Sequence, residues 1–451
     1  VNWENQAQAF TYFSASEGAG SRNRLDCFES KGEKVTFKFR PRGEEFQSNP
    51  HESFDIMREN YPIYFTNNNY VILTRYDHVV DTLKNPKSSV DYMTYCEGAA
   101  AEYVRPIKEI REKSGVFGNF NTMIRSDEPS HGRMKHLTLP HFTQKNLAGL
   151  SAKIENIVKN RLEQIEVGQS VDVAQLVTRH VPVDTIFHVL DLPYKDKEML
   201  TRWAHDLTLI LEPLQSSTDG IESVMKIFPE TMLYLVEMVE ARRANPKEND
   251  VVSDLLSGTI DGEPLTYEVG LLYMAGIETT VFFLSNALNA LLASEEAREA
   301  WMSISRKAKS SGLPYYMDRA AVNAMDELMR FCGSVWMTAR VNTEEFVYDV
   351  DGSTERVPRG SLINVFMAAA NRDPRIFSDP HRLDLFRSNA SKQVGFSAGP
   401  HYCLGSHLAK MEAIILFTEL FERYPNMEIA QPPVWRHRMT FRGIENLVVR
   451  V

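Results

Sequence analysis

The stretch Phe396-Ser397-Ala398-Gly399-Pro400-His401-Tyr402-Cys403-Leu404-Gly405 decides how this chain is read. A cysteine that acts as a ligand must be a thiolate, and a thiolate persists at neutral pH only where something stabilises its charge. Cys403 stands where an irregular loop passes into an amphipathic segment. The apolar residues of that segment, Leu404, Leu408, Met411 and Ile415, recur at helical spacing, with Leu416 and Leu420 on the same side. The free N–H groups of a helix N-terminus can then point at the sulfur. Gly399 and Gly405 leave room for backbone and a flat ring system to approach. Phe396 is placed to pack beside the sulfur and keep water out. A lone cysteine at a loop-to-helix junction is ordinarily a buried thiol; it is the spacing of these neighbours that argues for a ligand.

The chain has 451 residues, 43% of them hydrophobic, enough for a core that encloses a large bound group. The net charge of -10 argues against a nucleic-acid partner, whose phosphates such a field repels. Four cysteines, Cys27, Cys96, Cys332 and Cys403, are too few for a disulfide scaffold, and no two have CxxC spacing. The first three read as reduced thiols of a cytoplasmic protein. The opening VNWENQAQAF has neither the charged nor the apolar region of a signal peptide. Residues 271–293 are apolar enough to raise the membrane question, but Glu278, Asn286 and Asn289 are costly at a bilayer centre. A buried core helix is expected there, and no membrane anchor.

Residues 1–45 show no clear period and read as an N-terminal extension; 46–451 read as a single catalytic domain. After Asn49-Pro50 a helix through Phe54, Met57 and Arg58 is expected. Two β-rich runs then flank Asn67-Asn68-Asn69 as a hairpin, and Asp77 opens another helix. Helical spacing continues over 144–165, 171–190, 195–211 and 221–243, the last closed by Asn245-Pro246. Thr266 is expected to cap a long central helix with Glu268 in its first turn. Beyond Arg330, β-type runs are separated by turns at Asp351-Gly352 and Arg359-Gly360, and an Asp/Pro-rich stretch follows over 371–387. The architecture is mainly α with small β-sheets.

The cysteine stretch resembles the haem-binding signature of the cytochrome P-450 family, in which Phe, Gly, Gly, His, Cys and Gly fall at fixed offsets. Phe396, Gly399, His401, Cys403 and Gly405 match, and Ser397 stands in place of the first glycine. The resemblance implies haem b (iron protoporphyrin IX) with Cys403 as its metal ligand. It also implies the family's fold, with haem between the long central helix and the cysteine loop.

Three further segments resemble the family in the expected order. Glu327 and Arg330 share a helix face, ordinarily a solvated surface pair. The resemblance makes Arg387 their third member, a structural trio in which one carboxylate lies between two guanidiniums. In the central helix, Ala275-Gly276-Ile277-Glu278-Thr279 resembles the oxygen-activation segment, with Glu278 and Thr279 catalytic. Dioxygen cleavage needs protons delivered into a dry pocket, and a helical threonine can bond back along its helix and widen it locally. The segment SDEPSHGRMKHL resembles the helix that holds a haem propionate, with His131 matching and Lys135 where arginine is usual. Arg340 and His401 are the other implied propionate partners.

The function implied is a haem-thiolate monooxygenase. It would oxidise a small apolar or aromatic organic molecule with dioxygen, by hydroxylation, epoxidation or coupling, of the kind found in secondary metabolism. Electrons would come from NAD(P)H through separate partners, a ferredoxin and its reductase. Phe117, Phe120, Leu272, Ala275, Val335, Trp336 and Thr338 are the expected pocket walls. Two rivals are a peroxide-driven peroxygenase, which usually lacks the acid–alcohol pair, and a non-enzymatic haem-thiolate sensor, which needs Cys403 but no proton relay.

Overall fold

A computed structural model of the chain describes residues 27–30, 33–41, 43–66, 70–102, 104–105, 122–208, 218–260, 263–436 and 438–451. The hairpin turn at 67–69, the segment carrying Phe117 and Phe120, and the end of the helix expected over 195–211 lie outside them.

The central helix runs Thr266–Leu292 and is buried over most of its length. Around it pack helices His180–Val189, Lys197–Leu207, Thr218–Ala244, Glu295–Ser310 and Arg319–Cys332. Nothing amphipathic is asked of a helix surrounded in this way, which is why its sequence is apolar nearly all round. Its most apolar window is 72% buried within the protein, so the run is a core helix. Gly276 belongs to this packing: a Cβ there would come within 2.3 Å of the Ile186 side chain on helix His180–Val189.

Beside the helices lies a five-stranded sheet in the order Ile63–Phe65, Tyr70–Leu73, Leu362–Phe366, Met337–Asn342, Ser88–Ser89. All its neighbours are antiparallel except Tyr70–Leu73 and Leu362–Phe366, which run parallel. The Asp351-Gly352 turn closes the hairpin Phe346–Val350/Ser353–Val357 as its sequence requires, with both residues at positive φ, 54° and 84°. The residues just before Phe46 are packed against the fold. Phe37 stacks on Tyr61 at 5.7 Å, and Phe39 meets Phe46 and Phe366 edge-on.

Three local expectations are corrected. Residues Ser170–Asp172 form a strand paired with Val448–Arg450, not the start of a helix. The Asp172 carboxylate accepts from the backbone N–H groups of Ala174 and Leu447, tying the chain's far end to this point. The helical run over 144–165 is broken into Gln144–Leu147, a 3-10 turn at Ala148–Leu150 and Ser151–Leu162. Thr266 is the first residue of the central helix; Leu265 holds the cap position and no side chain caps it. Glu268, in the first turn, is completely buried; its carboxylate accepts the Met123 N–H at 2.9 Å.

Candidate active site

The cysteine loop enters its helix as the sequence indicates, with Gly405 at the cap of Ser406–Arg423. The Cys403 N–H donates to the Phe396 carbonyl at 2.9 Å, which closes the loop on itself. Ser397 sits at φ +64°, the left-handed region, which explains the glycine usual at that position. Gly399 is at φ +70°, and a Cβ there would lie 2.6 Å from the Leu83 carbonyl oxygen. Its freedom therefore serves the close approach of helix Tyr76–Lys84. Phe396 is buried beneath the loop, with the Lys410 ammonium 5.5 Å from its ring.

Cys403 is exposed in the structure, yet enough protein surrounds its sulfur to desolvate it. Burial pushes its thiol up; the Gly405 N–H and the Lys135 ammonium pull it back without cancelling that push. The helix start alone does not make a thiolate here. A metal cation would, because coordination removes the thiol proton outright.

A cationic cluster stands beside the loop. The His131 and His401 rings are 4.2 Å apart, and His131 Nδ1 is 3.0 Å from Glu128. Arg340 is buried on strand Met337–Asn342, where its guanidinium donates to Thr338 Oγ1 at 3.1 Å and to the Ala339 carbonyl at 2.8 Å. Among the described residues no carboxylate lies within ion-pair distance of it. Burial lowers its pKa to about 10. Burial, then Arg340, His131 and Lys135, push His401 down to about 3. Lys135 donates to the Pro400 carbonyl, so it braces the cysteine loop.

These are the features of a site built for a planar, dianionic group carrying a metal. A buried guanidinium without a carboxylate is costly until an anion joins it. The thiol waits for a cation. A Cβ at Gly405 would meet no protein atom. Ala275 is exposed although it lies in the middle of the buried central helix. Haem fits: Cys403 would ligate the iron, and Arg340, His131, His401 and Lys135 would meet the propionates.

On the central helix the Thr279 hydroxyl donates to the Ala275 carbonyl at 2.8 Å. The expected back-bond is present, but the helix stays α-helical through it and no local widening is seen. Glu278 is buried, its carboxylate 2.7 Å from His205 Nδ1 and 3.3 Å from Arg436 Nη1. Burial raises its pKa, but the hydrogen bond from His205 and the charges of Arg436 and Arg179 outweigh that and hold it below the usual range. His205 and Arg436 carried no signal in the sequence. One is on a neighbouring helix and the other on strand Val434–Arg436, so only the tertiary fold joins them to Glu278.

The structural trio is assembled. Glu327 and Arg330 form a bidentate pair at 2.7 and 2.8 Å, and Arg387 Nε is 3.1 Å from the same carboxylate. Both arginines also donate to carbonyls of the 371–387 stretch, among them Asn371, Pro380 and Ser378. Glu327 and Arg330 are wholly buried, so their pairing fixes that irregular stretch against helix Arg319–Cys332. Of the expected pocket walls, Leu272 is buried, while Val335 and Thr338 are half-buried. Trp336 lies elsewhere: its ring packs on His51, Phe54 and the Arg442 guanidinium, in the core beneath the five-stranded sheet.

The fold, the cysteine loop and its cationic neighbours together fit a haem-binding enzyme. The chain belongs to the cytochrome P450 family, whose profile, Cytochrome P450, matches residues 39–434. It is therefore a monooxygenase that uses haem, dioxygen and a small-molecule substrate. The polyketide biosynthesis cytochrome P450 PksS of Bacillus subtilis (strain 168) is 27% identical, over 91% of this chain and 98% of that protein. Epothilone C/D epoxidase of Sorangium cellulosum is 28% identical, over 92% and 96%. Among solved structures, P450BioI in complex with a hexadec-9Z-enoic acid ligated acyl carrier protein superposes with a TM-score of 0.76. It is 27% identical, over 91% of this chain and all of that one. Epothilone D-bound P450epoK gives 0.76 at 27% identity, over 92% and 99%.

Proposed function

We propose that the chain hydroxylates, epoxidises or couples a small apolar or aromatic product of secondary metabolism. Electrons from NAD(P)H would reach it through a ferredoxin reductase and a ferredoxin in the cytoplasm. When bound, haem b supplies the redox chemistry of dioxygen activation. The chain's own residues hold it: Cys403 at the metal, with Arg340, His131, His401 and Lys135 at the carboxylates. Phe396 excludes water from the sulfur. Thr279 and Glu278 are the catalytic pair; the carboxylate receives a proton and the hydroxyl orders it toward the pocket. Leu272, Ala275, Val335 and Thr338 line that pocket. The catalytic domain is residues 46–451, with the preceding segment an extension pinned by Phe37 and Phe39.

The observation that carries this reading is the buried Glu278 carboxylate, held ionised and joined by His205 to the surface. A peroxide-driven enzyme or a sensor has no use for a carboxylate kept in that state at a cost in burial. The names of the relatives, an epoxidase from one producer and 6-deoxyerythronolide B hydroxylase from another, support a secondary metabolite as substrate. The test is reconstitution with a ferredoxin and its reductase. Compounds that move the haem from low to high spin should accelerate NADPH consumption and yield an oxygenated product. Product from hydrogen peroxide alone, with no response to the electron chain, would overturn the proposal.

A further inference from the structure

Among the described residues, the Glu278 carboxylate is hydrogen-bonded to one partly exposed side chain that can carry a proton in either direction. His205, on helix Lys197–Leu207, places Nδ1 2.7 Å from Glu278 Oε1, and its own side chain is 32% exposed. Arg436 Nη2 lies 2.6 Å from the other ring nitrogen, Nε2. A guanidinium can only donate, so Nε2 must be the acceptor, and the neutral ring then carries its single proton on Nδ1, aimed at Glu278. The 3.4 Å approach of Arg436 Nη1 to Nδ1 is then no hydrogen bond. Arg436 is itself held between two carboxylates: Glu278, 3.3 Å from Nη1, and the half-exposed Glu445, 3.3 Å from Nε. Among the described residues, Arg179 and the buried Tyr273 also act electrostatically with Glu278, and neither is hydrogen-bonded to it.

We propose that His205 is the residue through which Glu278 is reprotonated from solvent, with Arg436 setting its tautomer and gating the exchange. The inference rests on Glu278 serving the reaction as a proton carrier.

The step balances as a simple relay. Arg436 withdraws toward Glu445, and the freed Nε2 takes a proton from a hydronium ion of the solvent, leaving water. The imidazolium then gives its Nδ1 proton to the Glu278 carboxylate. The ring, now carrying its proton on Nε2, swings to solvent, exchanges tautomers in water and returns with Nδ1–H. One proton has moved from solvent hydronium to Glu278, and the ring is unchanged. His205 acts through Glu278, so it is a positioning and relay residue.

Two measurements test this. The first is independent of turnover: ¹⁵N-histidine NMR of the diamagnetic, carbon-monoxide-bound holoenzyme should show the His205 ring neutral with its proton on Nδ1. Arg436→Gln, which can accept as well as donate, should release the ring to a tautomer mixture. A doubly protonated ring, or one protonated on Nε2 in the unaltered protein, overturns the proposal. The second compares His205→Gln with Glu278→Gln. The glutamine keeps an amide donor near Glu278 but cannot shuttle a proton. Product formed per NADPH should fall by about tenfold in His205→Gln, less than the ~10²–10⁴-fold cost of losing a proton donor itself. The solvent isotope effect should rise, with haem content unaltered. If Glu278→Gln is uncoupled while His205→Gln matches the unaltered enzyme, the relay is wrong and the Glu278 reading stands. If Glu278→Gln is itself fully coupled, the underlying reading has failed.

Discussion

The hydroxyl of Thr279 donates to the Ala275 carbonyl at 2.8 Å, so the one alcohol of the oxygen-activation segment is held back along its own helix. That bond positions the hydroxyl without being needed for the fold, because the helix is α-helical through both residues. Thr279→Ala should therefore leave haem content and substrate binding intact. Electrons should still be consumed, with more leaving as hydrogen peroxide and the productive step slowed by about 10²–10⁴-fold. NADPH consumed, peroxide released and product formed, measured in one assay, give the answer; unchanged coupling would remove Thr279 from the mechanism.

Glu268 offers a stability test by pH. Burial pushes its pKa up to about 7 from the ordinary value of 4.5, against a single N–H from Met123 that lowers it. Its second oxygen has no partner among the described residues. The folded pKa is raised, so the contribution is fully present below about 4.5 and is lost as pH rises through about 7. The loss is on the order of 3 kcal/mol. Glu268→Gln keeps the acceptor and cannot ionise. Chemical denaturation should find it more stable than the unaltered protein at pH 8 and equal at pH 4.5. Equal stability at both would show that Glu268 is not held neutral.

Arg340 and Lys135 should differ in how firmly they retain haem. The Arg340 guanidinium is buried with no carboxylate in ion-pair distance among the described residues, whereas Lys135 already has the Pro400 carbonyl as a partner. A charge-assisted hydrogen bond is worth about 1.5–3 kcal/mol, so Arg340→Ala should weaken haem binding by roughly 10- to 100-fold. Lys135→Ala should cost less. The haem-to-protein absorbance ratio after gel filtration decides between them, and equal loss would show Lys135 to be a full propionate partner.

Ser397 is a departure from the family signature whose consequence is measurable. A non-glycine residue in the left-handed region costs about 1–2 kcal/mol, and the Ser397 hydroxyl is buried without a partner among the described residues. Glycine gives back about 0.5–1 kcal/mol through its freer unfolded chain. Ser397→Gly should therefore stabilise the holoenzyme by about 1 kcal/mol, a thermal shift of about 1 °C for a chain of this size. A fall in thermal stability would mean that the hydroxyl has a partner when haem is bound.

How much of this was legible in the sequence depends on how local each signal is. The cysteine loop, the Glu327–Arg330 pair and the Ala275–Thr279 run each announce themselves within ten residues, and the structure forms each as a local unit. Asp351-Gly352 named its own turn. What the sequence hid was set by distant partners. Ser170–Asp172 has helix-compatible spacing but becomes a strand because Val448–Arg450 offers it hydrogen bonds. Trp336 looked like a pocket wall from its place before strand Met337–Asn342, yet the His51 and Phe54 rings and Arg442 give it a core position. His205 and Arg436 are 231 residues apart, and no pattern could have joined them.

We propose above all that Cys403 is the iron's thiolate ligand. The most direct measurement is the absorption spectrum of the reduced, carbon-monoxide-bound protein. The unaltered chain should show the strongly red-shifted Soret band of thiolate ligation, and Cys403→His should abolish that band. A Cys403→Ala protein that bound haem and kept the unaltered spectrum would contradict the account.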